Sequence, residues 1–428
     1  MENIIKQRQE FSKNSPSVNL TGSKLSHYRG IVFGLLKHLE GAQLELVEGS
    51  NSHLFGDTNS KLKGQMIIHD ASLYQDILIG GSIGAAEAFI DAKWTSPNLT
   101  KVIQVMARNS QELDKIESKM KWLSKFKNLL LRRKNTNSEQ GSKRNILAHY
   151  DIGNDLYERF LDASMQYSSA IYSEEAQTIS QAQDNKMRTI CERLSLTEKD
   201  HVIEVGTGWG GLAIYMAQNY GCKVTTTTIS DAQFDFAQKK VSALGLEDKI
   251  TLLKKDYRKL DGQYDKLVSI EMIEAVGHEY LPTFFSTCSN LLKPNGKMLL
   301  QSITIADTRY DQYRKGVDFI QKYIFPGGCL PSIAEMSRHF EKSTDMVVHQ
   351  INDIGLHYAR TLDDWRKAFE EEWNNLKKLG YNEEFKRLWL FYFSYCEGAF
   401  LERVISTHHI VARKPRYQGA EDEVVLAY

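Results

Sequence analysis

Cysteine, proline and long hydrophobic runs are all scarce in this chain. Its 428 residues include five cysteines and seven prolines. The odd number of cysteines and the lack of C-x-x-C spacing argue against a disulfide framework and against a structural zinc site. We therefore predict no metal centre and reduced thiols in the cytoplasm. No apolar run reaches the roughly 18 residues that a membrane-spanning helix needs, and the polar first residues lack the apolar core of an export signal.

The chain also lacks an excess of charge of either sign. Its 54 lysines and arginines balance 54 aspartates and glutamates, so the formal net charge is zero. Because a neutral molecule has no overall field that draws it to nucleic acid, we predict no nucleic-acid partner. The hydrophobic content of 42% is typical of a globular protein, and the length is sufficient for two or more domains.

The most informative feature that is present is a run of alternating glycines. The alternating positions are Gly206, Gly208 and Gly210. They separate a predicted strand at 202–205 from a predicted helix at 212–218. A strand, a glycine turn and a helix N-terminus in this order are typical of a pocket that binds a nucleotide-containing ligand. The E-x-G-x-G-x-G spacing differs from the dinucleotide pattern and favours S-adenosylmethionine, with Glu204 facing its cationic methionine end. An ordinary βα turn of a doubly wound sheet is the alternative interpretation.

Strand-like and helical segments alternate after about residue 145. The predicted strands are 202–205, 223–229, 250–254, 264–270 and 297–305. Alternation at this spacing predicts an α/β fold with a mostly parallel sheet that is covered on both faces. The segment 362–403 is helical and rich in aromatic residues, which either cap the core or line a channel for an apolar substrate.

The pattern divides the chain into four segments. We predict a disordered lead at 1–25, a small N-terminal α+β domain at 26–118, a basic amphipathic helix with a linker at 119–144, and the cofactor-binding domain at 145–428. The basic segment contains no acidic residue up to position 134, which is typical of a helix lying on an anionic membrane surface. A helix that packs its apolar stripe on the protein remains the alternative.

Polar side chains follow the predicted strands, where a parallel sheet binds its ligands. Ser230 and Gln233 follow the second strand in place of the acid that commonly holds a ribose, and Asp256 follows the third. Glu271 and Glu274 follow the fourth, and their spacing would place them on one face of a helix. We favour Glu274 for the functional role, with the other carboxylate as a surface acid.

Several motifs in fixed order resemble those of the cyclopropane fatty acid synthase family, and their wording is closest to its plant-type branch. The motifs lie at 149–154, 165–168, 208–211, 271–277, 323–331 and 357–358. The resemblance implies a Rossmann-like class I methyltransferase sheet with added C-terminal helices. It also implies transfer of a methyl(ene) group from S-adenosylmethionine to the cis double bond of an unsaturated phospholipid acyl chain, with a bound bicarbonate ion as the base.

The resemblance also assigns site residues. The bicarbonate positions are Glu274, Tyr358, Gln301, Ser169 and the backbone at Ile303, and Cys396 matches a cysteine treated as catalytic in the family, although a packed core thiol is the simpler interpretation. The cofactor positions are Tyr167, Ser168, Glu204, Gly206, Gly208, Gly210, Ser230, Gln233, Asp256 and Tyr257. The partners would be unsaturated phospholipids at the inner face of a membrane, and the family allows a homodimer.

The chain departs from the family pattern at three positions. Ser169 stands where many members have cysteine, and Gln301 and Ala275 stand where many have histidine. Serine and glutamine still donate hydrogen bonds to an anion, so we predict that an anion pocket survives. The departures leave open a methyl- or methylene-branched acyl product. A soluble small-molecule amine methyltransferase and a lipid-binding protein without catalysis also remain open.

Overall fold

The computed structural model describes residues 22–110, 137, 141 and 153–419. The chain forms two compact units. The first consists of Met1–Lys134, Gly316–Pro326 and Leu362–Val404, and the second of Asn135–Lys315, Gly327–Thr361 and Ile405–Tyr428. The predicted lead up to residue 21, the predicted basic helix at 119–134 and most of the motif at 149–154 lie outside the described residues. The grouping differs from our predicted domain boundaries, because the C-terminal aromatic helices fall in the first unit.

The first unit is an α+β assembly. Its elements are α1 (Gly22–Leu36), β1 (Gln43–Glu48), β2 (Asn51–Gly56), β3 (Lys63–Ile68), α2 (Leu73–Ile90), β4 (Trp94–Thr95), α3 (Leu99–Arg108), α10 (Phe319–Tyr323), α13 (Trp373–Lys378) and α14 (Glu383–Leu401). The sheet order is β2-β1-β3-β4. Helix α2 is kinked where Gly81 has a φ of +57°.

The aromatic residues of 362–403 form much of the core of the first unit. Trp365, Phe369 and Phe393 have no exposed surface, and the Phe369 ring contacts that of Phe393 at a centroid distance of 5.7 Å. Phe391 contacts Phe89 of α2 at 5.7 Å. Of the two roles that the sequence left open for these aromatics, the contacts within this unit favour packing of the core.

The second unit contains the predicted α/β sheet. Its elements are α4 (Asn154–Phe160), α5 (Ile179–Leu194), β5 (His201–Val205), α6 (Gly211–Tyr220), β6 (Lys223–Thr227), α7 (Asp231–Ala243), β7 (Ile250–Leu253), β8 (Tyr264–Ile270), α8 (Leu281–Leu291), β9 (Leu292–Ile305), α9 (Asp307–Tyr313), α11 (Ile333–Ser343), β10 (Val347–Asp353) and β11 (Ile405–Arg413). Helix α12 (Gly355–Glu371) begins in this unit and ends in the first.

The sheet of the second unit has the order β10-β11-β9-β8-β5-β6-β7. The neighbouring strands in the part of the sheet that reads β9-β8-β5-β6-β7 pair in parallel. This pairing confirms the predicted mostly parallel sheet. β11 pairs antiparallel with both β9 and β10, and the sequence did not predict these two strands. Because parallel strands end at the same edge, the residues that follow β5, β6, β7 and β8 are brought together there.

Within the described ranges, every helix is too short or too polar to cross a lipid bilayer.

Candidate active site

The glycine turn, defined by Gly206, Gly208 and Gly210, links β5 to α6. The φ angles of these residues are +107°, +54° and +86°, in the left-handed region that residues with a Cβ rarely adopt. The amides of Gly206 and Thr207 both donate to the carbonyl of Thr227, at 3.2 and 3.0 Å. The turn is thereby fixed to the end of the neighbouring strand β6.

Among the described residues, one side of the glycine turn is open, whereas the segment that follows the turn is closely packed. A Cβ at Gly208 would have no described atom within 4 Å, whereas a Cβ at Gly211 would lie 2.2 Å from the carbonyl oxygen of Ser164. A ligand can therefore lie against the backbone at Gly208, as S-adenosylmethionine requires.

Glu204, the acid that precedes the glycine turn, is buried, with 2% of its surface exposed. Its Oε2 accepts a hydrogen bond of 2.5 Å from the hydroxyl of Thr226. Burial raises the pKa of Glu204 to about 8, while Thr226 and the charge of Lys186 act in the opposite direction. A cation bound nearby would favour the ionised carboxylate, which fits the predicted role of Glu204 towards the sulfonium donor.

The polar residues after β6 and β7 make local hydrogen bonds. Ser230 caps α7 by accepting from the amide of Gln233 at 3.3 Å, and the Gln233 side chain accepts from the hydroxyl of Thr228 at 3.0 Å. Asp256 accepts from Nε of Arg258 at 2.9 Å and from a terminal nitrogen of the same guanidinium at 2.6 Å. Their predicted contacts with ribose and adenine stay predictions.

The aromatic cofactor candidates differ in their surroundings. The Tyr167 ring contacts Tyr157 edge-on at a centroid distance of 5.2 Å, and Tyr157 also contacts Trp209 of the turn segment at 4.9 Å. The hydroxyl of Tyr257 is buried and has no hydrogen-bond partner among the described residues. Because an unpaired buried hydroxyl costs free energy, Tyr257 is a suitable donor for a bound ligand.

Three predicted anion-binding residues meet at Glu271, the residue directly after β8. The amide of Ser169 donates to Oε1 of Glu271 at 2.9 Å, and Nε2 of Gln301 donates to the same oxygen at 2.8 Å. The hydroxyl of Tyr358 donates to Oε2 at 2.7 Å. Burial raises the pKa of Glu271, while these three donors act in the opposite direction. Glu271 is thus a hydrogen-bonded carboxylate of the site, and the prediction that it is a surface acid is wrong.

The Gln301 side chain is held in one orientation by a relay from α5. Arg193 donates to Nδ1 of His409 at 2.6 Å, and because arginine cannot accept, the proton of a neutral imidazole is on Nε2. That nitrogen lies 2.7 Å from Oε1 of Gln301. Burial holds the pKa of His409 well below its usual value. The amide nitrogen of Gln301 therefore points at Glu271, and sequence reasoning missed both supporting residues.

Glu274 occupies a separate hydrogen-bonded position in a single 3-10 turn, Ile273–Ala275. Its Oε1 accepts from the amide of Ile303 at 2.5 Å and from the hydroxyl of Ser302 at 3.1 Å. Oε2 is buried without a hydrogen-bond partner among the described residues. Burial and the nearby charge of Glu271 raise the pKa of Glu274 to about 8. The prediction that the two glutamates share a helical face is wrong, because Glu271 has a φ of +49°.

A buried lysine, Lys186, is hydrogen-bonded to one of the predicted cofactor residues, Ser168. Lys186 of α5 has no exposed surface, and its Nζ donates to Oε1 of Gln166 at 2.7 Å and to the hydroxyl of Ser168 at 2.9 Å. Burial lowers the pKa of Lys186 to about 8, while Glu271, Asp162 and Glu204 act in the opposite direction. Sequence reasoning missed this residue, because a single lysine in a helix gives no sign of burial.

Cys396, the last of the predicted catalytic residues, lies in α14 of the first unit. Burial and the charge of Asp318 raise the pKa of its thiol. The thiolate is the nucleophilic form of cysteine, so the environment disfavours nucleophilic chemistry at this position and is typical of a packed thiol.

We expect the stability of the protein relative to a Glu274→Gln variant to fall as the pH rises from 5 to 8. The folded protein holds the Glu274 proton up to about pH 8, whereas the unfolded chain releases it near its ordinary pKa. The contribution of the bound Glu274 proton to the free energy of unfolding therefore falls between pH 5 and 8, on the order of 1 kcal/mol per pH unit. Urea denaturation of both proteins measures the difference.

The matched control for this measurement is Glu279→Gln, because Glu279 is exposed. Its stability should follow that of the unchanged protein at every pH. A constant difference between the Glu274→Gln variant and the unchanged protein would contradict the raised pKa.

Known proteins that are similar to this chain include cyclopropane synthases and fatty acid methyltransferases. A family model described as mycolic acid cyclopropane synthetase matches residues 137–410. The chain is 35% identical over 327 residues to tuberculostearic acid methyltransferase of Mycobacterium tuberculosis, covering 75% of this chain and 76% of that protein. It is 34% identical over 357 residues to cyclopropane-fatty-acyl-phospholipid synthase of Escherichia coli K12, covering 82% of this chain and 88% of that protein.

A solved structure of a mycolic acid cyclopropane synthase in complex with SAH and CTAB is similar to 64% of this chain and 98% of its own length. The TM-score is 0.59 and the sequence identity is 28%. The predicted Rossmann-like class I methyltransferase sheet is confirmed by this likeness.

Proposed function

We propose that this chain adds one carbon to the cis double bond of an unsaturated phospholipid acyl chain. The proposal starts from its family, because the chain belongs to the mycolic acid cyclopropane synthetase family of S-adenosylmethionine-dependent methyltransferases. A cyclopropane ring is the product that we favour. The observation that carries the proposal is the pairing of the open glycine turn with a hydrogen-bonded carboxylate, Glu271, at the same edge of the sheet.

The residues around the glycine turn suit the methyl donor. When bound, S-adenosylmethionine supplies an electrophilic methyl group on a positively charged sulfur. The backbone at Gly208 leaves room for a ligand, Glu204 supplies a buried carboxylate for a cation, and Tyr257 has a hydroxyl to donate. Holding donor and acceptor in line is the main task, because an isolated alkene is a weak nucleophile.

The choice of a lipid acceptor rests on the relatives. The Escherichia coli protein is named for a fatty-acyl-phospholipid substrate and the Mycobacterium tuberculosis protein for tuberculostearic acid. We extend the lipid class to this chain, with phospholipid at a membrane surface as the partner and a homodimer as the assembly. A methyl- or methylene-branched acyl product is the second outcome that we allow.

The bicarbonate ion that the family resemblance implies does not fit the described site. Three of its predicted donors, Ser169, Gln301 and Tyr358, already donate to the Glu271 carboxylate. The fourth, the amide of Ile303, donates to Glu274. A second anion at the same donors would overlap Glu271 and face like-charge repulsion. We therefore route no step of the reaction through bicarbonate.

Purified protein incubated with methyl-labelled S-adenosylmethionine and liposomes of monounsaturated phosphatidylethanolamine and phosphatidylglycerol should yield labelled phospholipid. The acyl chain should gain the mass of one methylene unit, measured by mass spectrometry, with no hydrogens added elsewhere. Liposomes of fully saturated phospholipid are the matched control and should remain unlabelled. Label on small amines but not on lipid would overturn the proposed substrate class, and absence of donor binding in calorimetry would overturn the proposed reaction.

A further inference from the structure

The Glu271 carboxylate receives hydrogen bonds from donors that cannot readily turn away from it. One donor is the backbone amide of Ser169, which is fixed by the main chain. Another is Gln301, whose side-chain oxygen is bonded to His409 at 2.7 Å, so that its nitrogen faces Glu271. The third is Tyr358, which is 5% exposed. The donors predicted for a bound anion therefore surround a carboxylate that belongs to the chain itself.

The backbone at Glu271 supports a functional reason for this arrangement. Its φ of +49° lies in the left-handed region, which is unfavourable for a residue with a side chain. The Glu271 amide donates to the Gln301 carbonyl at 2.8 Å, so the segment is held in place on the sheet. Strained residues of this kind cluster at active sites, and here the strained conformation directs a carboxylate into the donor set.

The hydrogen bonds leave Glu271 able to accept a proton. Oε1 accepts two bonds, whereas Oε2 accepts one, from Tyr358, and each carboxylate oxygen has two lone pairs. The neighbouring Glu274 has its own donors, at Ile303 and Ser302. Oε2 of Glu271 therefore keeps capacity for one more proton, and the carboxylate is a suitable general base.

We propose that Glu271 is the catalytic base of this enzyme and takes the place of a bound bicarbonate ion. The inference rests on the proposed function. The π electrons of the alkene form a bond to the donor methyl carbon, and the carbon–sulfur electron pair leaves with sulfur. A C–H bond of the transferred methyl group then breaks, its electron pair closes the ring onto the cationic carbon, and the proton goes to Glu271. Solvent takes that proton before the next turnover.

The test is chemical rescue in buffer that has been freed of carbon dioxide. Glu271→Gly removes the carboxylate, suits the left-handed backbone and opens a space that bicarbonate can enter. We expect cyclopropane formation by this variant to fall at least about 100-fold, as for loss of a general base, and to recover in part when bicarbonate or formate is added. Added bicarbonate should not change the rate of cyclopropane formation by the unchanged protein.

Glu271→Gln is the matched control, because it keeps the shape of the side chain but cannot take the proton. It should be as slow as the glycine variant, should not respond to bicarbonate, and should bind S-adenosylmethionine as the unchanged protein does. Gas chromatography of the acyl chains should show a larger share of methyl-branched unsaturated products in this variant. If Glu271 had a merely structural role, added bicarbonate would not restore activity to the Glu271→Gly variant. The Glu271→Gln variant would then give the same product ratio as the unchanged protein.

Two results would overturn the proposal while leaving the proposed function intact. One is an unchanged protein that makes cyclopropane lipid only when bicarbonate is supplied. The other is a Glu271→Gln variant with the rate and products of the unchanged protein. An unchanged protein that transfers no methyl group to lipid would instead overturn the proposed function.

Discussion

A Gly206→Val variant is expected to bind S-adenosylmethionine about 5- to 150-fold more weakly, which corresponds to a strain of about 1–3 kcal/mol. Gly206 has a φ of +107°, which a β-branched residue cannot adopt without strain. A Cβ there would also lie 3.3 Å from the Cβ of Met272. Either the turn or Met272 must therefore shift, which disturbs the hydrogen bonds from the turn to Thr227.

Isothermal calorimetry with S-adenosylmethionine measures this loss. The matched control is Gly245→Val, because Gly245 also has a positive φ, of +64°, and a Cβ there would meet no described atom within 4 Å. It should lower thermal stability without changing affinity for the donor. Equal affinity of the Gly206→Val variant and the unchanged protein would show that the glycine turn does not bind the cofactor.

Lys186→Met is expected to lower the free energy of unfolding by about 1–3 kcal/mol, the usual cost of leaving buried hydrogen-bonding groups without a partner. Lys186 has no exposed surface, and its charge lowers the pKa of both Glu204 and Glu271. Without it the two carboxylates lose a positive neighbour. Gln166 and Ser168 also lose the hydrogen bonds that they accept from it.

Urea denaturation at pH 7 measures this change, and Lys199→Met is the matched control because Lys199 is exposed. The control should stay within about 0.5 kcal/mol of the unchanged protein. A Lys186→Met variant of the same stability as the control would contradict the view that Lys186 compensates the buried carboxylates.

Local signals explain which parts of the fold the sequence predicted. The strands β5 to β9 were recognised because each is rich in apolar or β-branched residues. Their parallel order follows from the helices between them. β10 was missed because most of its residues are exposed, which removes the apolar pattern. β11 was missed because it follows a long helical segment and pairs with β9, about 100 residues earlier in the chain.

The site shows the same limit. From the sequence we predicted a functional acid after β8, grouped with Ser169, Gln301 and Tyr358. We chose Glu274 as that acid, whereas these three residues donate to Glu271. The choice between the two glutamates depends on one backbone angle, at Glu271, and no local pattern encodes it. The burial of Lys186 likewise depends on tertiary packing.

The discontinuity of the first unit has a consequence for biosynthesis. Helix α14 packs on α3 so closely that a Cβ at Gly398 would lie 2.7 Å from a methyl carbon of Ile103. The ribosome releases residues 22–110 long before it makes α14. The emerging N-terminal segment therefore lacks the helix that packs on it while the ribosome makes the intervening stretch of about 270 residues.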